Sequence, residues 1–250
     1  EIFVYGHEPD GTNINKECGS MYPEHLATKV KQYRADIGLA HDGDGDRVIL
    51  CDENGSILDG DDIMAICALD MLAKGTLGKN TLVTTIMSNA GLDEAIKQAG
   101  GKIIRTDVGD KNVIEAMLKQ DINLGGEESG HLIFSDYAST GDGLVAALQV
   151  LAIMKERGAK LSELHTCWKR FPKKTSNIRV KEKPPFADLD GVTDLVKSAE
   201  KELKSSGGRV LLRYSGTESK ARLLIEGSDK KLIDKWYKKI TDSIRKQIGA

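Results

Sequence analysis

The chain has 250 residues, 40% of them apolar and 30% charged, with a formal net charge of −2. That length exceeds the usual single domain, and the near-balance of charge excludes a global attraction to nucleic acid or to an anionic membrane. No apolar run reaches the roughly 18 residues that a membrane helix needs, and no signal-peptide pattern opens the sequence, so a soluble, cytoplasmic protein is expected.

The charge is unevenly placed. From Lys173 onward there are 19 Lys plus Arg against 11 Asp plus Glu, a balance of +8, which leaves −10 for residues 1–172. Lys230, Lys231, Lys235, Lys238 and Lys239 fall at helical spacing and read first as a solvated face; an anionic ligand beside this basic module is the sharper reading. Cys18, Cys51, Cys67 and Cys167 show neither CxxC spacing nor a dense framework. Reduced thiols and no zinc site follow.

In chain order, the sequence starts at Glu1 with a short apolar strand, IFVYG, as a fragment of a longer chain would. A helix over 24–34 leads to the strand Ile37–Ala40, an acidic loop at 42–46, the strand Arg47–Cys51 and a turn at 52–55. A helix from about Asp61 to Lys74, opened by aspartates suited to a positive helix terminus, precedes the apolar strand Thr81–Met87. Then come a helix at 91–99, the strand Lys102–Thr106, a helix at 110–119, strands at Ile122–Leu124 and His131–Phe134, and a helix at 141–157. The run Phe171 to Phe186, with Pro172, Pro184 and Pro185, marks a linker with one strand inside it. A helix near 188–204, strands Arg209–Tyr214 and Ala221–Gly227, and a terminal helix at 229–247 close the chain as an α+β module. The alternation of helices and strands elsewhere predicts α/β architecture.

Three segments carry chemistry. In Asp42-Gly43-Asp44-Gly45-Asp46-Arg47, three carboxylates at alternate positions repel one another unless a cation sits among them, and the glycines let the backbone fold tightly enough for convergence. Oxygen-only ligands select a hard ion such as Mg²⁺. An EF-hand reading places Asp42, Asp44 and Asp46 at positions 1, 3 and 5 of the loop and Glu53 at 12. It fails because position 6 is Arg47 rather than Gly and a strand follows.

In Gly125-Gly126-Glu127-Glu128-Ser129-Gly130-His131, the glycines bring backbone close to a ligand, and Glu127 and Ser129, two apart in an extended loop, can grip vicinal hydroxyls. His131 reads either as a proton carrier or phosphate donor, or as a structural histidine at a strand start. In Arg213-Tyr214-Ser215-Gly216-Thr217-Glu218-Ser219, followed by Arg222, backbone N–H groups, hydroxyls and two guanidinium groups make a phosphate cradle; a plain hairpin turn is the alternative.

Together, in this order and spacing, the DGDGDR, GEESGH and RYSGTES segments resemble the metal, sugar-recognition and phosphate-binding loops of the α-D-phosphohexomutases. NINKECGSMYPE and DYASTGDGLVAALQVL are similar to the phosphoglucosamine mutase branch rather than the phosphomannomutase/phosphoglucomutase branch. The resemblance implies the end of one α/β domain (1–56), a mixed-sheet α/β domain (57–170) and a C-terminal α+β domain (171–250), the family's second to fourth domains. It implies Mg²⁺ on Asp42, Asp44 and Asp46, Arg47 beside the transferring phosphoryl group, and sugar hydroxyls on Glu127 and Ser129 with His131 near the reacting oxygen. Thr106, Gly109, Asp110 and Lys111, in TDVGDK, would line the cleft. Arg213, Ser215, Gly216, Thr217 and Arg222 would anchor the unreacting phosphate.

The implied reaction interconverts glucosamine 6-phosphate and glucosamine 1-phosphate through glucosamine 1,6-bisphosphate, for UDP-N-acetylglucosamine synthesis. The implied partners are a phosphorylated amino sugar, the enzyme's N-terminal domains and a second copy in a homodimer; neither nucleic acid nor membrane is expected. The family's nucleophile is a serine in an SASHNP-like loop, and no such stretch occurs here: SNAG at 88–91 and SSGG at 205–208 do not match it. The chain alone is therefore expected to be inactive. Two departures from the family pattern are Ser219, where Pro is usual, and His41, where an apolar residue is common. A sugar-phosphate binding module without catalysis, or a phosphomannomutase/phosphoglucomutase, is the competing reading.

Overall fold

The computed structural model describes residues Glu1–Ala250, and its residues group into two compact units, 1–88 with 95–169 and 89–94 with 170–250. The first unit begins with α1 (Pro23–Tyr33), β1 (Ile37–His41), β2 (Val48–Asp52) and β3 (Ile57–Leu58), which pair antiparallel in the order β1-β2-β3. It continues through α2 (Gly60–Lys74), β4 (Thr81–Thr85), the later part of α3 (Ala90–Gln98), β5 (Lys102–Thr106), α4 (Asp110–Gln120), β6 (Leu124–Gly126), β7 (Leu132–Phe134), α5 (Gly143–Arg157) and α6 (Leu161–Leu164).

These strands form a mixed sheet, β5-β4-β6-β7, with β4 parallel to β5 and β6 and the last pair antiparallel. All five residues of β4 are buried, as expected of a parallel strand covered on both faces. Val113 and Met117 of α4 pack with Val83, Ile122 and Ile133 to fix that helix on the sheet.

Local chemistry sets the ends of the helices that flank the site. The Asp59 carboxylate accepts hydrogen bonds from the N–H groups of Asp61 and Asp62, while the Asp59 N–H donates to Asp62 Oδ2, a reciprocal cap that starts α2 at Gly60. Asp142 accepts the Val145 N–H at 2.9 Å and so starts α5. Both helices stop at a left-handed glycine, Gly75 at φ 69° and Gly158 at φ 60°.

The second unit holds β8 (Lys173–Arg179), α7 (Val192–Leu203), β9 (Arg209–Tyr214), β10 (Lys220–Glu226) and α8 (Lys230–Ile248), with an antiparallel sheet in the order β8-β10-β9. One face of α8 presents Ile233, Trp236, Ile240, Ile244 and Ile248 to Leu223 and Ile225 of β10 and to Val192, Ala199 and Leu203 of α7. The lysines of α8 are exposed, with Lys235 and Lys239 flanking the stripe over the Trp236 ring at 4.7 and 4.9 Å, which is the amphipathic division of a surface helix.

Several boundaries differ from the sequence expectation. IFVYG is not a strand: it has no partner, and Phe3 and Tyr5 instead pack on Tyr33 of α1 at ring separations of 4.3 and 5.9 Å. The helix expected from 188 begins at Val192, because Gly191 before it holds φ 66°, outside helical space, and a short 3₁₀ turn occupies Phe186–Asp188. The strand expected to end at Leu124 instead begins there, and β3 and α6 are additions. Arg47 stands outside β2 and forms an isolated antiparallel bridge with His131.

Candidate functional site

The metal-loop residues lie between β1 and β2, where one oxygen from each of Asp42, Asp44 and Asp46 falls within 4.8 Å of the others. The loop is tied on three sides. The Arg47 N–H donates to Asp42 Oδ1 at 3.1 Å, His41 Nδ1 lies 3.1 Å from the Arg47 carbonyl oxygen, and the Gly143 N–H, at the start of α5, donates to the Gly45 carbonyl at 3.0 Å. Gly45, at φ 77°, supplies the left-handed turn that this closure needs.

Crowding of like charge shows in the carboxyl groups. Burial, followed by a hydrogen bond with Asp42 and the charges of Asp42 and Asp44, holds Asp46 above the usual carboxylate range. Burial also pushes Asp42 up, but the Arg47 N–H, the bond with Asp46 and the Arg47 guanidinium outweigh it and leave Asp42 low. The Arg47 guanidinium is only a partial counterion, with Nε 3.6 Å from Asp42 Oδ2 and 3.8 Å from Asp46 Oδ1. Asp46 Oδ1 is buried without a hydrogen-bond partner. Three crowded hard oxygens, one of them unsatisfied, fit a hard divalent cation better than they fit a free acidic turn.

The GEESGH loop abuts this site within the same unit. The Val48 N–H donates to the Gly130 carbonyl at 3.1 Å, and the Gly60 N–H, at the head of α2, donates to the Glu128 carbonyl at 3.1 Å. His131 is buried, with Nε2 3.6 Å from Asp46 Oδ2, while its Nδ1 has no partner. A Cβ on Gly141 would collide with the imidazole, and one on Gly143 would strike the Arg47 carbonyl. These glycines of the STGDG stretch let backbone lie directly against the histidine and the metal loop.

The TDVGDK segment reaches the same loop through one bond: the Gly109 N–H donates to Glu127 Oε1 at 2.9 Å. Thr106 turns its hydroxyl to the Asp107 carbonyl at 2.9 Å, Asp110 accepts the Lys111 N–H at 2.8 Å, and Lys111 extends into solvent near Glu115. Ser129 is exposed. The first unit therefore brings together Asp42, Asp44, Asp46, Arg47, Glu127 and His131, with Gly109 bonded to Glu127.

In the second unit, the RYSGTES turn joins β9 to β10. Ser215 is buried; its N–H donates to the Lys220 carbonyl at 2.9 Å, and its own carbonyl accepts Lys183 Nζ at 2.7 Å. Gly216 and Thr217 are exposed at the tip. Arg213 and Arg222 are register partners, so two guanidinium side chains share one face of the sheet. Like charges directly opposite one another destabilise a sheet unless an anion lies between or beside them. Glu218 is that anion in this structure, with Oε2 2.8 Å from Arg222 Nη2 and its other oxygen on Lys220.

The sequence motifs did not single out His41 as a loop support, Gly60, Gly141 and Gly143 as approach points, Lys183 and Lys220 as parts of the phosphate turn, or Glu218, named within the turn, as the partner of its cations. Glycine density in DYASTGDG was the available signal for two of these positions. Neither Gly60 nor Lys183 had any.

Residues 59–171 match the model of the phosphoglucomutase/phosphomannomutase alpha/beta/alpha domain III, and residues 176–243 match that of the same family's C-terminal domain. The chain belongs to the phosphohexomutase family. Among its curated relatives, a phosphoglucosamine mutase of Geobacter metallireducens is 53% identical over 250 residues and one of Geotalea daltonii is 51% identical over 250. The alignments cover 100% of this chain but 55% of each relative, so this phosphohexomutase chain spans about half the length of the relatives it matches. Among solved structures, the N-acetylphosphoglucosamine mutase of Aspergillus fumigatus in complex with GlcNAc-6P and magnesium shares the fold at TM-score 0.69 and 23% identity, over 93% of this chain and 53% of that one. The same Aspergillus enzyme, as a point variant, is known in complex with glucose 1,6-bisphosphate, at TM-score 0.67 and 22% identity over 94% and 53% of the two chains.

Proposed function

We propose that this chain supplies the metal, sugar-recognition and phosphate-binding parts of a phosphoglucosamine mutase, which interconverts glucosamine 6-phosphate and glucosamine 1-phosphate in the cytoplasm. The observation that carries the reading is the Arg47–His131 bridge, which seats a converged three-carboxylate loop against the GEESGH loop. The phosphoglucosamine mutases at 53% and 51% identity support the amino-sugar substrate. The division into parts at 1–56, 57–170 and 171–250 belongs to the same proposal.

Asp42, Asp44 and Asp46 would hold Mg²⁺, which when bound neutralises charge on a phosphoryl oxygen. The magnesium complex of the Aspergillus enzyme supports that choice of ion, and its bisphosphate complex supports glucosamine 1,6-bisphosphate as intermediate and activator. Arg47 lies beside Asp42 and Asp46, where its guanidinium can bind two oxygens of a phosphoryl group bidentately. Glu127 and Ser129 accept sugar hydroxyls, and Thr106, Gly109, Asp110 and Lys111 line the approach. His131, buried beside Asp46, moves a proton at the reacting sugar oxygen. Arg213, Ser215, Gly216, Thr217 and Arg222 hold the phosphate that does not react.

Phosphoryl transfer also needs a group in line with the leaving oxygen to carry the phosphoryl between the two ends of the sugar. The aspartates are committed as ligands and His131 to proton transfer, so turnover draws on the rest of the longer enzyme, which is the expected partner, in a monomer or a homodimer. In a coupled assay with a catalytic amount of glucosamine 1,6-bisphosphate, the chain alone should be silent. Adding the N-terminal portion of the Geobacter metallireducens relative should produce turnover that Asp44→Asn abolishes. A folded, associated pair without turnover, but with bound sugar phosphate, would favour a binding module instead.

A further inference from the structure

The phosphate turn contains its own anion. Glu218 is half-exposed, so nothing in the core obliges it to face inward, yet one carboxylate oxygen sits on Arg222 Nη2 at 2.8 Å and the other on Lys220. The turn is folded to present it there. The Glu218 N–H donates to Ser215 Oγ at 3.3 Å, the Lys220 N–H donates to the Glu218 carbonyl at 2.8 Å, and the Ser215 N–H closes the turn on Lys220.

The cations it occupies remain under-satisfied. Arg222 Nε is buried without a partner, and Arg213 stands directly opposite Arg222 in the β9–β10 register. One carboxylate with a single charge is therefore bonded to one guanidinium and one ammonium, with a second guanidinium, that of Arg213, on the same sheet face beside Arg222, a set with more donors and more charge than it can match.

From this arrangement we propose that Glu218 is a resident anion that must leave Arg222 before a phosphoryl group binds the turn, so that it sets the affinity and charge threshold of this site. The proposal rests on the phosphate-binding reading of the turn. A dianionic phosphate monoester, with three acceptor oxygens, can replace the carboxylate on Arg222 and also engage the unpartnered Nε and the exposed Thr217; a monoanion gains little by the exchange. Glu218 then turns outward, still near Lys220, and the two arginines close on the phosphate. Hydrogen bonds from Lys220 and Arg222 already hold its carboxyl below the usual range, so it is a charged competitor at neutral pH.

The test is titration of inorganic phosphate into the whole chain, followed at the Ser215 and Thr217 amides. Wild type is compared with Glu218→Gln, which keeps the shape and removes the charge bonded to Lys220 and Arg222, and with Glu182→Gln, which removes instead a charge felt at neighbouring Tyr214. Glu218→Gln is expected to bind phosphate at least about fivefold more tightly than wild type, and Glu182→Gln less than about twofold. If no protein shows shifts at millimolar phosphate, the cradle itself is wrong. If wild type and Glu218→Gln bind with equal affinity, or the variant binds more weakly, the cradle stands and the resident-anion role falls. Equal gains in both variants would assign the effect to the general field rather than to displacement, and would also overturn it.

Discussion

His131 Nε2 lies 3.6 Å from Asp46 Oδ2, although 85 positions separate the two residues in the sequence. That contact makes the carboxylate nearest the sugar loop a member of both the metal cluster and the histidine's surroundings. A change at either residue should therefore be felt at the other.

The first prediction concerns the cation. Isothermal titration with Mg²⁺ should give weak binding to the wild-type chain and binding at least about fivefold weaker, or about 1 kcal/mol, for Asp44→Asn. Asp44 is the exposed member of the three, so its loss removes a ligand with little effect on packing. Equal affinity in the two proteins would sink the metal assignment.

Glu127 offers a test of the sugar loop that separates folding from function. It accepts one N–H, from Gly109, so Glu127→Ala should cost the fold only about 1 kcal/mol in urea unfolding. In the longer enzyme the same change should lower turnover at least about tenfold, because hydroxyl contacts that tighten in the transition state are lost. Unaltered steady-state kinetics would remove Glu127 from the site.

Gly60 should prove structural in a way its helical position hides. In an isolated helix Ala would be favoured over Gly by about 1 kcal/mol. Here a Cβ at Gly60 would run into the Glu127 carbonyl and the Gly130 nitrogen, so Gly60→Ala should lower stability by about 1–3 kcal/mol. Gly216→Ala, with open space around the added carbon, is the control and should unfold at the wild-type urea midpoint. A stable Gly60→Ala protein would mean that the loop yields to α2 rather than packing rigidly on it.

All four cysteines are free. Burial, followed by the charge of Asp52, pushes the Cys51 thiol up to about 11, and burial above all raises Cys67 still further. Both should therefore resist a thiol reagent at pH 8 in the native chain and react only in denaturant, as mass spectrometry of the labelled peptides can read. Rapid native labelling of Cys67 would show that α2 opens readily.

Much of this protein was determined locally by its sequence. The Asp42-to-Asp46 repeat, the caps at Asp59 and Asp142 and the stripe of α8 act over a few residues, through turn chemistry and helical spacing, and the elements they define fall close to where the pattern puts them. IFVYG shows the limit of that reasoning: its composition suits a strand, but a strand exists only with a partner to complete its hydrogen bonds, and Tyr33 offers aromatic packing instead. Tertiary structure alone decided which backbones could touch across long separations. Gly141 lies against the His131 ring, Gly60 seats the Glu127 carbonyl, and Gly143 donates to Gly45 because each lacks a side chain at a point of closest approach. No periodicity encodes such an approach, since it depends on where two distant segments meet. Glu218 stands between the two cases: its bonds to Lys220 and Arg222 are local, two and four residues on, but only the register that sets Arg213 opposite Arg222 adds a second guanidinium to the same face.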